Sequence, residues 1–509
     1  MPKFLTLFLL LVLSLGASAQ MQFCSDDLES YPVLAGGREK PLYVLASESV
    51  RFMTGENKVG DLSATVAFCK LSLKAFGMPT EIPVNIKVEH VEVRKLLGMK
   101  DDETARPVAD LLSQGPRIEE ELSTLKENNS YKKELTKVRS RLATYQAITE
   151  ARAWVAPVAK DNKIEFIPLA EFLTEARVME ARGKGSNPVE FLFNQSKEDY
   201  LRLKGSGYLL ELKYFKWNLF LWAMLASLLA IFLFVAMKNK IPGTVLTALS
   251  IALQIWAMTM RVLISGRAPV TNMYETVMFS GFGALIISCV ITLYRKEIAF
   301  VIAGLCFNIL ALMMMKFANG MLDPGISPLV PVLRDNFWLS THVTTVILSY
   351  AALALSWIIS NSLLLRSRFG TVSSVEYRYQ VDLIYTCIKF GVVLLAAGVI
   401  LGGVWADYSW GRFWGWDPKE TWSLIVLLVY MAILHGKSTS WIPQQRFVPL
   451  VAGAFMSVMM AWFGVNYILA SGLHSYGFSE GGAIFLGSFF FIQILILVVT
   501  TLRTKTTAA

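Results

Sequence analysis

The sequence predicts a polytopic α-helical membrane protein of about nine transmembrane helices, preceded by a secreted-side domain of α+β or mainly helical build. Three observations lead there. Hydrophobic residues make up 54% of the 509 and charged residues only 17%, well below the roughly 25% charged content of an average soluble domain. Apolar runs long enough to cross about 30 Å of hydrocarbon recur from Phe215 to the end of the chain. The stretch before them, 20–212, is polar enough to fold in water. A formal charge of +9 is read as topology, because basic residues of membrane proteins collect in cytoplasmic loops. No nucleic-acid partner is expected.

The first element is a secretory signal over residues 1–19. Lys3 precedes a short apolar run, and Ala17-Ser18-Ala19 supplies the small residues of a cleavage site. Cleavage there leaves the mature N-terminus outside. The extracytoplasmic domain, 20–212, follows. Ile82, Val84, Ile86 and Val88 alternate as in a half-buried strand. From about Arg117 to Ala151 a charged helical stretch carries Leu122, Leu125, Leu135, Val138 and Leu142 at three- and four-residue spacings, and its Lys and Arg residues read as a solvated face. Cys24 and Cys69 are available to pair in an oxidising compartment. Cys289, Cys306 and Cys387 lie in apolar runs and read as core residues.

The transmembrane domain, 213–509, holds nine apolar runs: 215–236, 243–264, 274–294, 298–316, 342–365, 382–404, 420–435, 447–469 and 482–502. With the first run starting outside, the inner loops hold Lys238, Lys240, Arg295, Lys296, Arg366, Arg368, Arg378, Lys437, Arg446, Arg503 and Lys505. The outer loops hold only Arg267, Arg334, Arg412 and Lys419. Under the positive-inside rule this asymmetry supports the orientation. The protein is expected in the bacterial inner (cytoplasmic) membrane.

The motif at 405–422 sits between runs six and seven, on the outer side. Its core, WGRFWGWDPKETW, places Trp410, Trp414, Trp416 and Trp422 among Gly411 and Gly415. An interfacial aromatic belt needs only one or two aromatics per helix end, so this density points to a flat ligand approached closely by bare backbone. Asp417 and Pro418 stop the loop and start the next helix, with the acid near the positive end of its dipole. The transmembrane domain has three histidines. His342 opens run five and His474 follows run eight, both on the motif's side, whereas His435 closes run seven at the inner side. Two imidazoles flanking a tryptophan platform suit a haem iron held from both faces.

The motif, with "LHSYG" around His474 and "THV" around His342, resembles the WWD-domain haem-handling proteins, and within them the CcsA (ResC) component of system II cytochrome c biogenesis. "SGRAPVTNMYETV", at 265–277, resembles the outer loop before a span in that family. The resemblance covers roughly 243–500 and leaves 20–212 unassigned. It implies a protein that carries haem b, as substrate, to the outer face and promotes thioether attachment to the Cys-x-x-Cys-His segment of apocytochrome c. The chain would then form part of a haem–cytochrome c synthetase complex of thioether-forming lyase type. By the same resemblance His342 and His474 match the outer axial ligands, and His435 matches an inner haem site whose second ligand comes from a partner. Trp410, Trp414, Trp416, Asp417 and Trp422 match the platform. A CcsB/ResB-type membrane subunit is the implied partner, with thiol-reducing proteins as further candidates.

Thioether formation needs haem held with its vinyl edge accessible and two thiols brought into line, so positioning supplies much of the acceleration. No catalytic base or nucleophile is evident in the sequence. Arg261 is a candidate partner for a haem propionate; Lys316 and Lys389 read as snorkelling. Three alternatives stay open: a system I-type haem chaperone that delivers haem to a carrier, a non-haem membrane transporter, and a purely structural assembly subunit. The transporter would call for discontinuous helices and internal repeats.

Overall fold

The computed structural model describes residues 23–77, 82–126, 130–181, 187–238, 240–318, 321–328, 335–469 and 482–501. The expected signal peptide and His474 lie outside these residues. The chain divides into two units, Met1–Trp217 and Asn218–Ala509.

Among its described residues the first unit mixes helices with four two-stranded antiparallel sheets. Its core closes around Trp154, whose ring lies 5.2 Å from that of Phe193 and 6.0 Å from that of Phe68. Cys24 and Cys69 are joined in a disulfide across 45 residues of chain. The expected alternation holds, since Val84, Ile86 and Val88 are buried. The strand itself is only Asn85–Lys87, paired with Ala105–Pro107. Pro83 cannot donate to a ladder before it, and His90 ends the extended run by capping helix Val91–Leu96 through Nδ1, which accepts from Glu92 N–H.

Two further expectations for this unit are corrected. The helical stretch from Arg117 to Ala151 is two helices, Gly115–Thr124 and Ser130–Thr149. Leu125 is extended, and the Ser123 and Thr124 hydroxyls donate to the Glu120 and Glu121 carbonyls at the break. The basic residues are also not all solvated. Arg141 is 3% exposed, donating to the Phe52 and Lys87 carbonyls and to Glu134. Lys137 and Lys87 both pair with Glu89. Buried cations of this kind persist only where acceptors meet every donor group.

Among the described residues, the helices that are long and apolar enough to cross a membrane number nine: Leu209–Val235, Lys240–Ser265, Met273–Arg295, Ile298–Phe317, Asn336–Phe369, Ser374–Trp410, Pro418–Ser438, Gln444–Leu469 and Gly482–Thr501. They are called spans one to nine below. The protein is a multi-pass helical membrane protein. Span five is central in the second unit, packed against spans three, six and eight. Its sequence "TTVILSYAALALSWIISNSLLL" is apolar or small all round, and 61% of its apolar window is buried within the unit. Spans seven and nine are the least buried, at 22% and 17% of their apolar windows.

Buried polar side chains join the spans where lipid offers no partner. Ser227, Ser250, Gln254 and Asn308 bond one another across spans one, two and four. Gln493 of span nine accepts from Trp357 Nε1 at 2.7 Å and exchanges hydrogen bonds with Asn361 of span five. Arg261 of span two is wholly buried against Glu275 of span three, Nε to Oε1 2.7 Å.

Candidate functional site

The motif loop is much shorter than its sequence suggests. Span six stays helical through Trp410 and ends where Gly411 turns left-handed, φ 67°, with its N–H bonded to the Asp407 carbonyl. Span seven begins at Pro418, capped by Asp417. The Asp417 carboxylate accepts from Lys419 N–H at 2.8 Å and Glu420 N–H at 3.0 Å. Glu420 returns the bond, so the two acids form a capping box.

Glu420 does more than cap. Its Oε2 accepts from Gly415 N–H at 2.7 Å and its Oε1 from Arg412 at 3.1 Å, while the Arg412 guanidinium lies over the Trp410 ring. Together these bonds hold Trp416 at φ 56°, a left-handed conformation that bulky side chains rarely adopt. One carboxylate organises the whole loop.

Beside this loop the second unit has a partly open cavity with about 1150 Å³ between its walls, open solvent included. Five segments supply the walls. Val270–Met273 and Thr276 come from the "SGRAPVTNMYETV" stretch; Leu339, His342, Val343, Val346, Ile347 and Tyr350 from span five; Val399, Gly402, Gly403 and Trp405 from span six; and Phe413, Trp414, Lys419, Glu420 and Ser423 from the motif. Ala461, Trp462 and Asn466 of span eight close it.

Two helical segments facing this cavity are π-helical. Leu339–Val343 carries His342, and Met460–Leu469 carries Trp462 and Asn466. A π turn re-aims side chains relative to the α-helix around it, and such turns concentrate at functional sites. Trp462 Nε1 donates to Thr276 at 3.1 Å, and Tyr467 donates to the Met321 carbonyl at 2.8 Å. The second π segment is thereby fixed to the opposite wall.

His342 is the chemically distinctive group in the wall. Its Nδ1 lies 2.9 Å from the Gly398 carbonyl oxygen. A carbonyl can only accept, so Nδ1 is the donor in this bond and carries a proton. A backbone carbonyl on the far nitrogen is the arrangement that orients metal-ligating histidines. Gly402 makes room for the ring, since a Cβ there would stand 2.6 Å from His342 Cε1. The Trp405 ring centroid is 5.6 Å away.

The structure brings His342 and Trp414 into the cavity wall and leaves other predicted residues outside it. Trp410 ends span six, Trp416 is 70% exposed, and Trp422 packs on the helix core. Asp417 is a helix cap. His435 lies at the far end of span seven, about 27 Å from the cap at the rise of an α-helix, with its side chain exposed and its carbonyl accepting from Ser438 and Thr439. Arg261 is not among the lining residues, and its guanidinium bonds Glu275 and the Pro324 and Gly325 carbonyls. Lys316 and Lys389 are exposed, the latter over the Tyr385 ring. His474 lies outside the described residues.

Sequence reasoning missed Trp405, Phe413, Trp462 and Asn466. Trp405 opens the 405–422 motif, one and a half turns before Trp410 and next to the Gly402-Gly403 pair that admits the His342 and Phe413 rings. For Trp462 and Asn466 no local signal exists.

Comparison with known proteins bears on the same segments. A family described as cytochrome C assembly protein matches residues 270–474, from the first wall of the cavity onward. The cytochrome c biogenesis protein CcsA of Guillardia theta is 33% identical over 239 residues, covering 42% of this chain and 78% of that protein. The CcsA protein of Prochlorococcus marinus (strain MIT 9301) is 34% identical over 268 residues, 47% of this chain and 84% of the relative. That of Chlamydomonas reinhardtii is 34% identical over 224 residues, 42% and 62% of the two chains. This chain therefore belongs to the CcsA-type cytochrome c assembly family and is a multi-pass membrane protein of cytochrome c biogenesis.

Proposed function

We propose that the cavity beside the tryptophan motif receives haem on the periplasmic face and presents it for thioether attachment to apocytochrome c, as system II assembly requires. The observation that carries this reading is His342: an imidazole lining an aromatic cavity, its Nδ1–H held by the Gly398 carbonyl. Its Nε2 is the nitrogen suited to bind iron. His474, from the resemblance, is the second axial ligand. Haem is here the cargo, and the chain's task is to hold it oriented and shielded until the substrate's histidine and thiols arrive.

His435 belongs to a separate inner site. The length of span seven sets it too far from His342 to share one iron, and its exposed ring leaves the second ligand to a CcsB/ResB-type partner in the inner membrane. The Met1–Trp217 unit lies outside the matched family region and is given no part in binding haem.

The test is the absorption spectrum of the purified protein, alone and with its partner. Wild type is expected to carry six-coordinate haem. His342→Ala is expected to yield five-coordinate or readily oxidised haem that added imidazole partly restores, because one axial bond is lost while the cavity remains. Wild type that takes up no haem, or a His342→Ala spectrum identical to wild type, would refute the assignment.

A further inference from the structure

Two donors in the cavity wall find no acceptor among the described residues. The indole Nε1 atoms of Trp405 and Trp414 are buried, and neither has a hydrogen-bond partner among those residues. Trp405 is itself only 5% exposed, and both residues line the cavity. An indole N–H can only donate, so no rearrangement of nearby donors relieves it. Buried donors in folded proteins are almost always paired, and an exception beside a cavity points to an acceptor on the molecule that fills it.

The acceptor has a chemical class. The four ring nitrogens of an iron tetrapyrrole are committed to the metal, and its vinyl and methyl substituents accept nothing of consequence. The periphery then offers only its carboxylates. Lys419 lines the same cavity, and span seven directs its N-terminus, the positive end of its dipole, to this wall. Glu420 also lines the cavity, but its two oxygens are taken by Gly415 N–H, Asp417 N–H and Arg412. By contrast, the wall from Val343 to Ile347 is apolar.

We propose that Trp405 and Trp414 hold a carboxylate of the bound tetrapyrrole through their indole N–H groups, with Lys419 as the countercharge. This rests on the reading of the cavity as a haem site and adds the orientation of the ligand within it: the acid edge lies against the motif wall. Trp405, whose ring lies 5.6 Å from the His342 imidazole, couples the tilt of the macrocycle to the axial ligand. The motif's aromatics then recognise charge as well as a flat surface.

The experiment titrates ferric haem, and separately its dimethyl ester, into the full-length protein in lipid nanodiscs, following the Soret band. Wild type is expected to prefer the diacid. Trp405→Phe and Trp414→Phe each keep an aromatic ring but remove the donor, and each is expected to weaken diacid binding about tenfold or more, the scale of a hydrogen bond to a charged group. Ester binding should change much less, so the preference for the acid collapses. Equal losses for acid and ester would show that the indoles act by shape alone, and unchanged affinities would show that the donors are met by water; either result overturns the proposal. Wild type that binds neither compound refutes the haem reading instead. If Trp405→Phe fails to fold, Trp414→Phe, on the loop, decides the same question.

Discussion

At the scale of single residues, the imidazole of His342 depends on an absence, the missing side chain at Gly402. Ala is normally the better helix former by 0.5–1 kcal/mol, but a Cβ at 402 would meet the ring at 2.6 Å and force it off the Gly398 carbonyl. Gly402→Ala is therefore expected to leave a folded, membrane-inserted protein whose haem content falls several-fold, read from the Soret band per mole of protein. Gly411→Ala is the control. It pays about 1 kcal/mol for its left-handed cap but has open space around it, so haem content should hold. The chemistry of this residue was legible in the sequence, because histidine is rare in apolar helices and one at a helix opening beside a tryptophan cluster draws attention. Its hydrogen bond was not, since Gly398 lies 56 positions away and only packing of spans five and six reveals the bond.

At the scale of elements, the acids of the motif act on helix geometry. Asp417 caps span seven, and replacing a cap by Ala costs about 1 kcal/mol while Asn caps nearly as well. Asp417→Asn is thus expected to retain cytochrome c maturation and Asp417→Ala to lower it, measured as covalent haem on a reporter cytochrome. Equal defects in both would assign the carboxylate's charge to the ligand. Glu420→Gln should be the more harmful change, because the amide meets the Gly415 and Asp417 N–H groups less well and releases Arg412 from its partner. Most spans were read within a few residues of their ends, since the hydrocarbon thickness enforces a long apolar run whatever the helices pack against, but span six begins eight residues before the run 382–404 and ends six after it. The motif loop was read too long, because Trp405 and Trp410 carry no mark that tells a helix end from a loop. The helix break near Leu125 was missed for a different reason. Leucines at three- and four-residue spacing continue across it, although Asn128-Asn129-Ser130 is poor helix sequence.

At the scale of the whole molecule, the two units draw stability from different sources. In the first, Glu89 is held by Lys137 and Lys87. Burial raises its pKa, but the hydrogen bonds from both lysines outweigh that and pull the carboxyl down to about 2. A carboxyl lowered from an unfolded value near 4.3 contributes stability that is complete above about pH 5 and drains away as pH falls toward 2. Glu89→Gln should flatten that part of the acid-denaturation curve, followed by circular dichroism. The Cys24–Cys69 disulfide closes 45 residues, which by loop entropy is worth about 4 kcal/mol; reduction should lower the melting temperature of this unit and spare the second. Reporter fusions after Arg378 and after Gly481 should lie in the cytoplasm and the periplasm respectively, and the reverse pattern would invert the placement of the cavity.

The π segment Leu339–Val343 makes the scaffold and the site separable by deletion. Each residue added to an α-helix rotates everything beyond it by about 100°, so a codon lost from an ordinary span would turn one end of it against its neighbours. A π turn carries the extra residue already and absorbs the loss by tightening to α. Removing Ser340 should then keep the register of Thr344–Phe369, on which the bundle is packed, and swing the start of the span away from the cavity. Such a shortened protein should insert and accumulate normally, yet leave haem unretained and its client cytochromes without covalent haem.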